Sequence, residues 1–257
     1  MPITDELIQG ARPILLIGAI AVTGVMGFGA VRGAVADPAH LKVCADPANL
    51  PFSNRAEQGF ENVLAQLVAH QLGESVAYVW TTGPQNSPAA GLAEGRCDVV
   101  MSVPAEITTM ETTQPYYWSS YVFVSRADRG LDITSIKDAR LKQLKIGVET
   151  IEGKVTATPP AQLLAKKGLE PQLVSFPIAS NSESTSPARL VDAVAQGEID
   201  IAALWGPQAG YFAQGSRVKL RVEPIGDTEE FSTHKEKFDL AGLQYDIAMA
   251  VRPGDDG

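Results

Sequence analysis

Two stretches of this chain repeat one another. LAEGRCDVV, starting at Leu92, and VAQGEIDIA, starting at Val194, share one pattern: Leu or Val, Ala, Glu or Gln, Gly, any two residues, Asp, then Val or Ile. Each stretch carries the end of a helical pattern into a strand-like run, and each closes a longer series of the same kind. The first series runs from LKVCA (41–45) to the helical pattern GFENVLAQLVAHQLG (59–73). The strand-like SVAYVW (75–80), the helix SPAAGLAEG (87–95) and DVVMSV (98–103) follow. The second runs from LKIGVE (144–149) to a helix opening at Thr158 with Pro159 and Pro160, then PQLVSF (171–176), SPARLVDAVAQG (186–197) and DIAAL (200–204). Serine before proline marks helix starts, and Gly73, Gly95, Gly168 and Gly197 mark their ends. In the first helix, Phe60, Val63, Leu64, Leu67, Val68 and Leu72 fall on one predicted apolar stripe.

Two consecutive β-α-β-α-β series predict parallel strands with helices on both faces, folded as two similar lobes. YYWSSYVFVSR (116–126) is extended and aromatic, and links the first lobe to the second. VKLRVEPI (218–225) carries the chain back, and YDIAMAVR (245–252) completes the first lobe. The expected division is therefore 37–121 plus 222–257 for lobe 1 and 122–221 for lobe 2, joined by a two-strand hinge that permits closure around a ligand.

Ligands in such sheets bind beyond the carboxyl ends of the strands. That rule nominates Asp46, Asn49, Pro51, Phe52, Ser53 and Asn54 after the first strand, with Pro104 and Glu106 after DVVMSV. Tyr116, Tyr117 and Trp118 stand at the hinge. Glu149, Thr150, Thr158 and Trp205 come from the second lobe. In the internal alignment Trp205 matches Val103. Phe52, Tyr116 and Trp205 also suit a packed core, and Asn49 and Asn54 suit a turn.

Other features bound the function. The net charge is −9 and the longest basic cluster is Lys166-Lys167, so nucleic acid and anionic lipid are excluded as partners. Arg12 precedes an uncharged apolar run from Pro13 to Val31, and Ala34-Val35-Ala36 has the small-x-small form of a cleavage site. Residues 1–36 are expected to be a secretory signal cut after Ala36, or an anchor that provides the one membrane contact. Either places the remainder outside the cytoplasm, where Cys44 and Cys97 can form a disulfide if their strands are neighbours. His40, His70 and His234 are isolated, so no metal or cofactor is implied. Neither G-x-S-x-G nor H-E-x-x-H occurs, and Asp98 and Asp200 recur at strand starts, so the expectation is a binding protein and not an enzyme.

The layout resembles the type 2 periplasmic solute-binding proteins. Within them, CADPANLPFSNRAEQGFEN, GRCDVVMSVP, TTQPYYWSSYVFV, TPPAQLLAKKG, DIAALWGPQAGYFA and YDIAMAVRPGD resemble the MoxJ/XoxJ-type accessory proteins of PQQ-dependent methanol dehydrogenase clusters. This resemblance implies a helper that engages the dehydrogenase, with its cytochrome c as a further partner, and assists maturation or activation. It also implies a C-terminal helix after YDIAMAVRPGD, so the chain is expected to be a fragment. Amino-acid-binding members resemble the chain in layout but carry an Arg before the hinge and an acid after the last lobe-2 strand. Glu106 and Trp205 stand at those positions here. A zwitterion would lose two charge-assisted contacts of about 1.5–3 kcal/mol each. The rings of Phe52, Tyr116, Tyr117, Trp118 and Trp205 suit a flat uncharged ligand or a partner's side chain.

Overall fold

The computed structural model describes residues 39–82, 86–151, 158–178, 187–226 and 243–254. These lie in the unit Pro38–Gly257. The expected signal (1–36), the Ser186 cap and residues 227–242 fall outside the described residues. Among the described residues no helix is long and apolar enough to cross a membrane.

The chain begins with β1 (His40–Ala45), the short ribbon β2 (Ala48–Asn49) and β3 (Ser53–Asn54), then α1 (Phe60–Leu72) and β4 (Ser75–Trp80). Next come α2 (Pro88–Ala93), β5 (Val99–Pro104) and the two-residue β6 (Glu111–Thr112). The long strand β7 (Tyr117–Arg126) leads into β8 (Ile146–Thr150), α3 (Pro159–Lys166), β9 (Leu173–Pro177) and α4 (Pro187–Gln196). The rest is β10 (Ile201–Trp205), α5 (Gly206–Gln214), β11 (Leu220–Pro224) and β12 (Gln244–Val251).

The strand order shows the duplication in three dimensions. One half of the sheet runs β4-β1-β5-β12-β7, and the other runs β9-β8-β10-β7-β11. In each, three strands are parallel and the fourth is antiparallel to the third. Strand β7 belongs to both. Its first part pairs with β12, from Tyr117↔Ile247 to Ser120↔Gln244, and its second with β10 and β11. The change occurs at Tyr121, whose N–H donates to the Leu243 carbonyl while its own carbonyl accepts from the Ile225 N–H. The fold is thus two-lobed, each lobe carrying apolar packing on both sheet faces.

The repeated motif has one structural job in both lobes. Asp98 accepts from the Lys42 N–H at 2.9 Å and returns its own N–H to the Lys42 carbonyl. Asp200 makes the same two bonds to Lys145. The glycine three residues before each Asp, Gly95 and Gly197, holds a left-handed φ that ends the helix and turns the chain toward its strand.

The α1 stripe needs correction. Val63, Leu67 and Leu72 are exposed, and Leu64 and Val68 only half-buried; Glu61, Asn62, Ala65 and Ala69 form the buried face. Two alanines let the helix lie close on the sheet, and Asn62 faces inward to bind the Asn54 and Gly59 N–H groups of the preceding loop. α2 starts as expected, with the Ser87 hydroxyl accepting from Ala90 N–H.

Cys44 in β1 and Cys97 before β5 are joined by a disulfide spanning 53 residues. A loop of that size predicts that the Cys44→Ala/Cys97→Ala double variant loses about 2–4 kcal/mol of unfolding free energy, measured by urea denaturation at equal protein concentration.

Candidate functional site

The strand ends of both lobes converge on a cavity of about 510 Å³. Lobe 1 contributes Asp46, Ala48, Asn49 and Phe52 from the β1–α1 connection, with Ser102 and Pro104 of β5 and Tyr245 and Ile247 of β12. Tyr121 of the hinge strand lines it, and lobe 2 adds Glu149, Pro159, Ile178, Pro187, Trp205 and Gln208.

Trp205 ends β10, and its indole faces the hinge. It meets the Tyr121 ring edge-on at 5.2 Å and the Tyr245 ring at 6.0 Å. The latter contact joins lobe 2 to the returning strand of lobe 1. The next residue must be small. A Cβ on Gly206 would lie 2.8 Å from the Ser120 carbonyl oxygen, so glycine lets α5 start against the hinge strand. One turn on, the Gln208 amide donates to the Asn49 side-chain oxygen at 2.9 Å, a direct hydrogen bond between lobes.

Two carboxyl groups, Glu149 and Glu61, sit in or below this cavity with no ion pair to either among the described residues. Glu149, at the end of β8, opens onto the cavity but is walled by protein. Desolvation alone pushes its pKa up to about 7. Its charge, after burial, also raises the pKa of the Tyr121 hydroxyl. Glu61 lies beneath the floor on α1. Burial raises its pKa to about 7 despite hydrogen-bonding neighbours in Ser102 and Tyr116, and its Oε1 finds no partner among the described residues.

The nominated residues separate into two groups. Asp46, Asn49, Phe52, Pro104, Glu149 and Trp205 line the cavity. Ser53 and Asn54 do not; Ser53 donates to the Asp46 carbonyl and Asn54 bonds Gln58, so both shape the loop. Thr158 is buried at the start of α3, its hydroxyl on the Glu149 carbonyl. Glu106 is exposed at the rim, where its charge adds to burial in raising the Tyr245 pKa. Tyr116 donates to the Met101 carbonyl. Tyr117 packs edge-on against Phe60 and Tyr116, its hydroxyl beside Ser102 and Trp205 but short of hydrogen-bonding geometry. Trp118 is 71% exposed and outside the cavity. Consecutive strand residues point to opposite faces, so three aromatics in a row cannot share one wall.

The lining residues that the sequence does not single out include Tyr121, Tyr245 and Gln208. The two tyrosines lie on the strands that link the lobes, away from the carboxyl ends of the parallel strands that the rule points to. Gln208 carries no motif; its signal was a glutamine just inside a short helix that starts at the cavity. Among the described residues no group of three His, Cys, Asp or Glu side chains is placed to hold a metal. The arrangement is one of rings, two acids and amides: a surface for binding.

No family model matches the chain. Protein MoxJ of Methylorubrum extorquens is 32% identical over 235 residues, covering 88% of this chain and 75% of that protein. The crystal structure of the periplasmic binding protein XoxJ from Methylobacterium extorquens superposes with a TM-score of 0.60 at 30% identity, over 82% of this chain and 84% of that one. MxaJ from Methlophaga aminisulfidivorans gives 0.65 at 26% identity, over 84% and 87%.

Glu61 sets a pH dependence whose sign is fixed. Its folded pKa of about 7 lies above the ordinary 4.5, so its contribution to stability is full below about 4.5 and is lost as pH rises to about 7. Glu61→Gln is expected to flatten that fall and to exceed the parent at pH 8 by up to about 3 kcal/mol, read from urea midpoints across the pH range.

Proposed function

The chain belongs to the MoxJ/XoxJ family of periplasmic binding proteins, and from that premise we propose that it is an accessory factor for a PQQ-dependent methanol or alcohol dehydrogenase. It works in the periplasm, delivered by its N-terminal segment as a signal cut after Ala36 or as an anchor. Lobe 1 (37–121 plus 222–257) and lobe 2 (122–221) engage the dehydrogenase, with its cytochrome c as a further partner, and assist maturation or activation. No catalysis is assigned to the chain itself.

One observation carries this reading beyond kinship. The cavity wall, among the described residues, contains no Lys, Arg or His. A free amino acid entering it would bring a carboxylate with no cation to meet it and two acids to repel it, at a cost of several charge-assisted contacts. Trp205 stands where an amino-acid receptor would hold the ligand's ammonium. The site therefore disfavours a free amino acid while keeping the two-lobed frame. A second reading, a transport receptor for a small uncharged or aromatic solute, draws support from the cavity volume of about 510 Å³, which is ligand-sized.

The tagged chain, incubated with a periplasmic extract of its source, is expected to retain a quinoprotein dehydrogenase identified by mass spectrometry. Recovery of none, under conditions where a known complex survives, would sink the accessory reading. A thermal shift with a neutral solute, in its place, would favour the receptor.

A further inference from the structure

We propose that the inter-lobe cavity binds a small organic ammonium ion, with Glu149 as its counter-charge and the rings of Tyr121, Trp205 and Tyr245 as its cage. The inference rests on reading this cavity as the protein's working site, and it names the chemistry the cavity accepts.

Charge gives the first argument. Among the described residues lining the cavity, the charged side chains are Asp46 and Glu149, both acids. Asp46 spends one oxygen on the Ala48 N–H at 2.8 Å. Glu149 is different. No hydrogen bond or ion pair reaches its carboxyl from the described residues, although its backbone carbonyl is tied to the Thr158 hydroxyl. A carboxyl held desolvated without a partner is costly, and its cost is removed when a cation enters.

Ring geometry gives the second. Tyr121, Trp205 and Tyr245 form a continuous aromatic wall, with successive centroids 5.2 and 6.0 Å apart. The negative face of an aromatic ring attracts an organic cation, most strongly in a desolvated site and best for Trp. The same wall offers no oxygen cluster for a metal ion, and among the described residues no metal-binding group of three exists. An anion would meet two acids, and a neutral solute would leave Glu149 unpaired. An ammonium with alkyl substituents satisfies the acid and the rings together.

Among the described residues, the titratable groups facing the cavity with Glu149 are Asp46, Tyr121 and Tyr245, with Glu106 beside Tyr245 at the rim. Both tyrosines have raised pKa values and stay neutral through the range that matters. Glu149 therefore controls the pH response. Because it titrates near 7 when the cavity is empty, cation binding requires its proton to leave. Affinity should be flat above neutral pH and fall on acidification, by about 30-fold between pH 8 and pH 5.5.

Calorimetric titration of the whole chain with choline, and with dimethylbutanol as its neutral carbon isostere, tests this. Choline is expected to bind at least about tenfold more tightly than the isostere and to weaken on acidification as above. Glu149→Gln should abolish both the preference for charge and the pH dependence while keeping the parent's circular dichroism. Equal binding of choline and the isostere, unchanged choline affinity in Glu149→Gln, or no choline binding at millimolar concentration would each overturn the proposal. A dehydrogenase captured by a chain silent to choline sinks this inference alone. Choline binding with no dehydrogenase captured sinks the accessory reading and leaves the ammonium site standing.

Discussion

A single extended strand shared by two sheets holds this molecule together. β7 gives its first part to lobe 1 and its second to lobe 2, and at Tyr121 it donates a hydrogen bond to one arm of the returning chain and accepts one from the other. That ladder holds the lobes in register, and the partner strands change at this one residue. Tyr121 is also the residue whose ring lines the cavity and touches Trp205. The crossover between the lobes and the wall of the site therefore share one residue.

The duplication explains why the site forms where it does. Each lobe anchors its third strand to its first through an aspartate, Asp98 to Lys42 and Asp200 to Lys145. The carboxyl ends of both parallel sets then project toward the same gap. Lobe 2 fills its share with Trp205 and Gln208, and lobe 1 answers with Tyr245 and Asn49. Besides the shared strand, the contacts between the lobes among the described residues include this amide–amide hydrogen bond and the rings of Tyr121 and Tyr245 against Trp205. Each such contact is worth about 1 kcal/mol.

Much of the fold was legible because its punctuation is local. Ser87 and Pro88 start a helix, Gly95 and Gly197 end two, and the apolar runs between them are too short for anything but strands. The exposed stripe of α1 was misread because apolar spacing alone does not say which side meets the sheet. Ala65 and Ala69, small enough for close approach, decide it. In the site, Asp46, Asn49, Phe52, Pro104 and Trp205 were found by one rule, that strand ends face the cavity. That rule failed for Tyr116, Tyr117 and Trp118, which precede or begin a strand and follow its alternation. It failed also for Glu106, which the turn after β5 carries out to the rim. Tyr121, Tyr245 and Gln208 escaped because their importance comes from contacts between residues far apart in the chain.

A family kinship and a cavity chemistry meet in one molecule: a two-lobed frame whose inter-lobe surface has rings and acids and, among the described lining residues, no Lys, Arg or His. Its central claim is that the lobes are joined across this surface by Asn49 with Gln208 and Trp205 with Tyr245. Spin labels on cysteines introduced at exposed Gln71 of α1 and Gln214 of α5 would report it through the distance between them, since the two native cysteines are bonded to each other. The account predicts one narrow distance in the parent chain, broadening when Asn49→Ala and Trp205→Leu are introduced together. A broad distribution in the parent, or one indifferent to both substitutions, would contradict it.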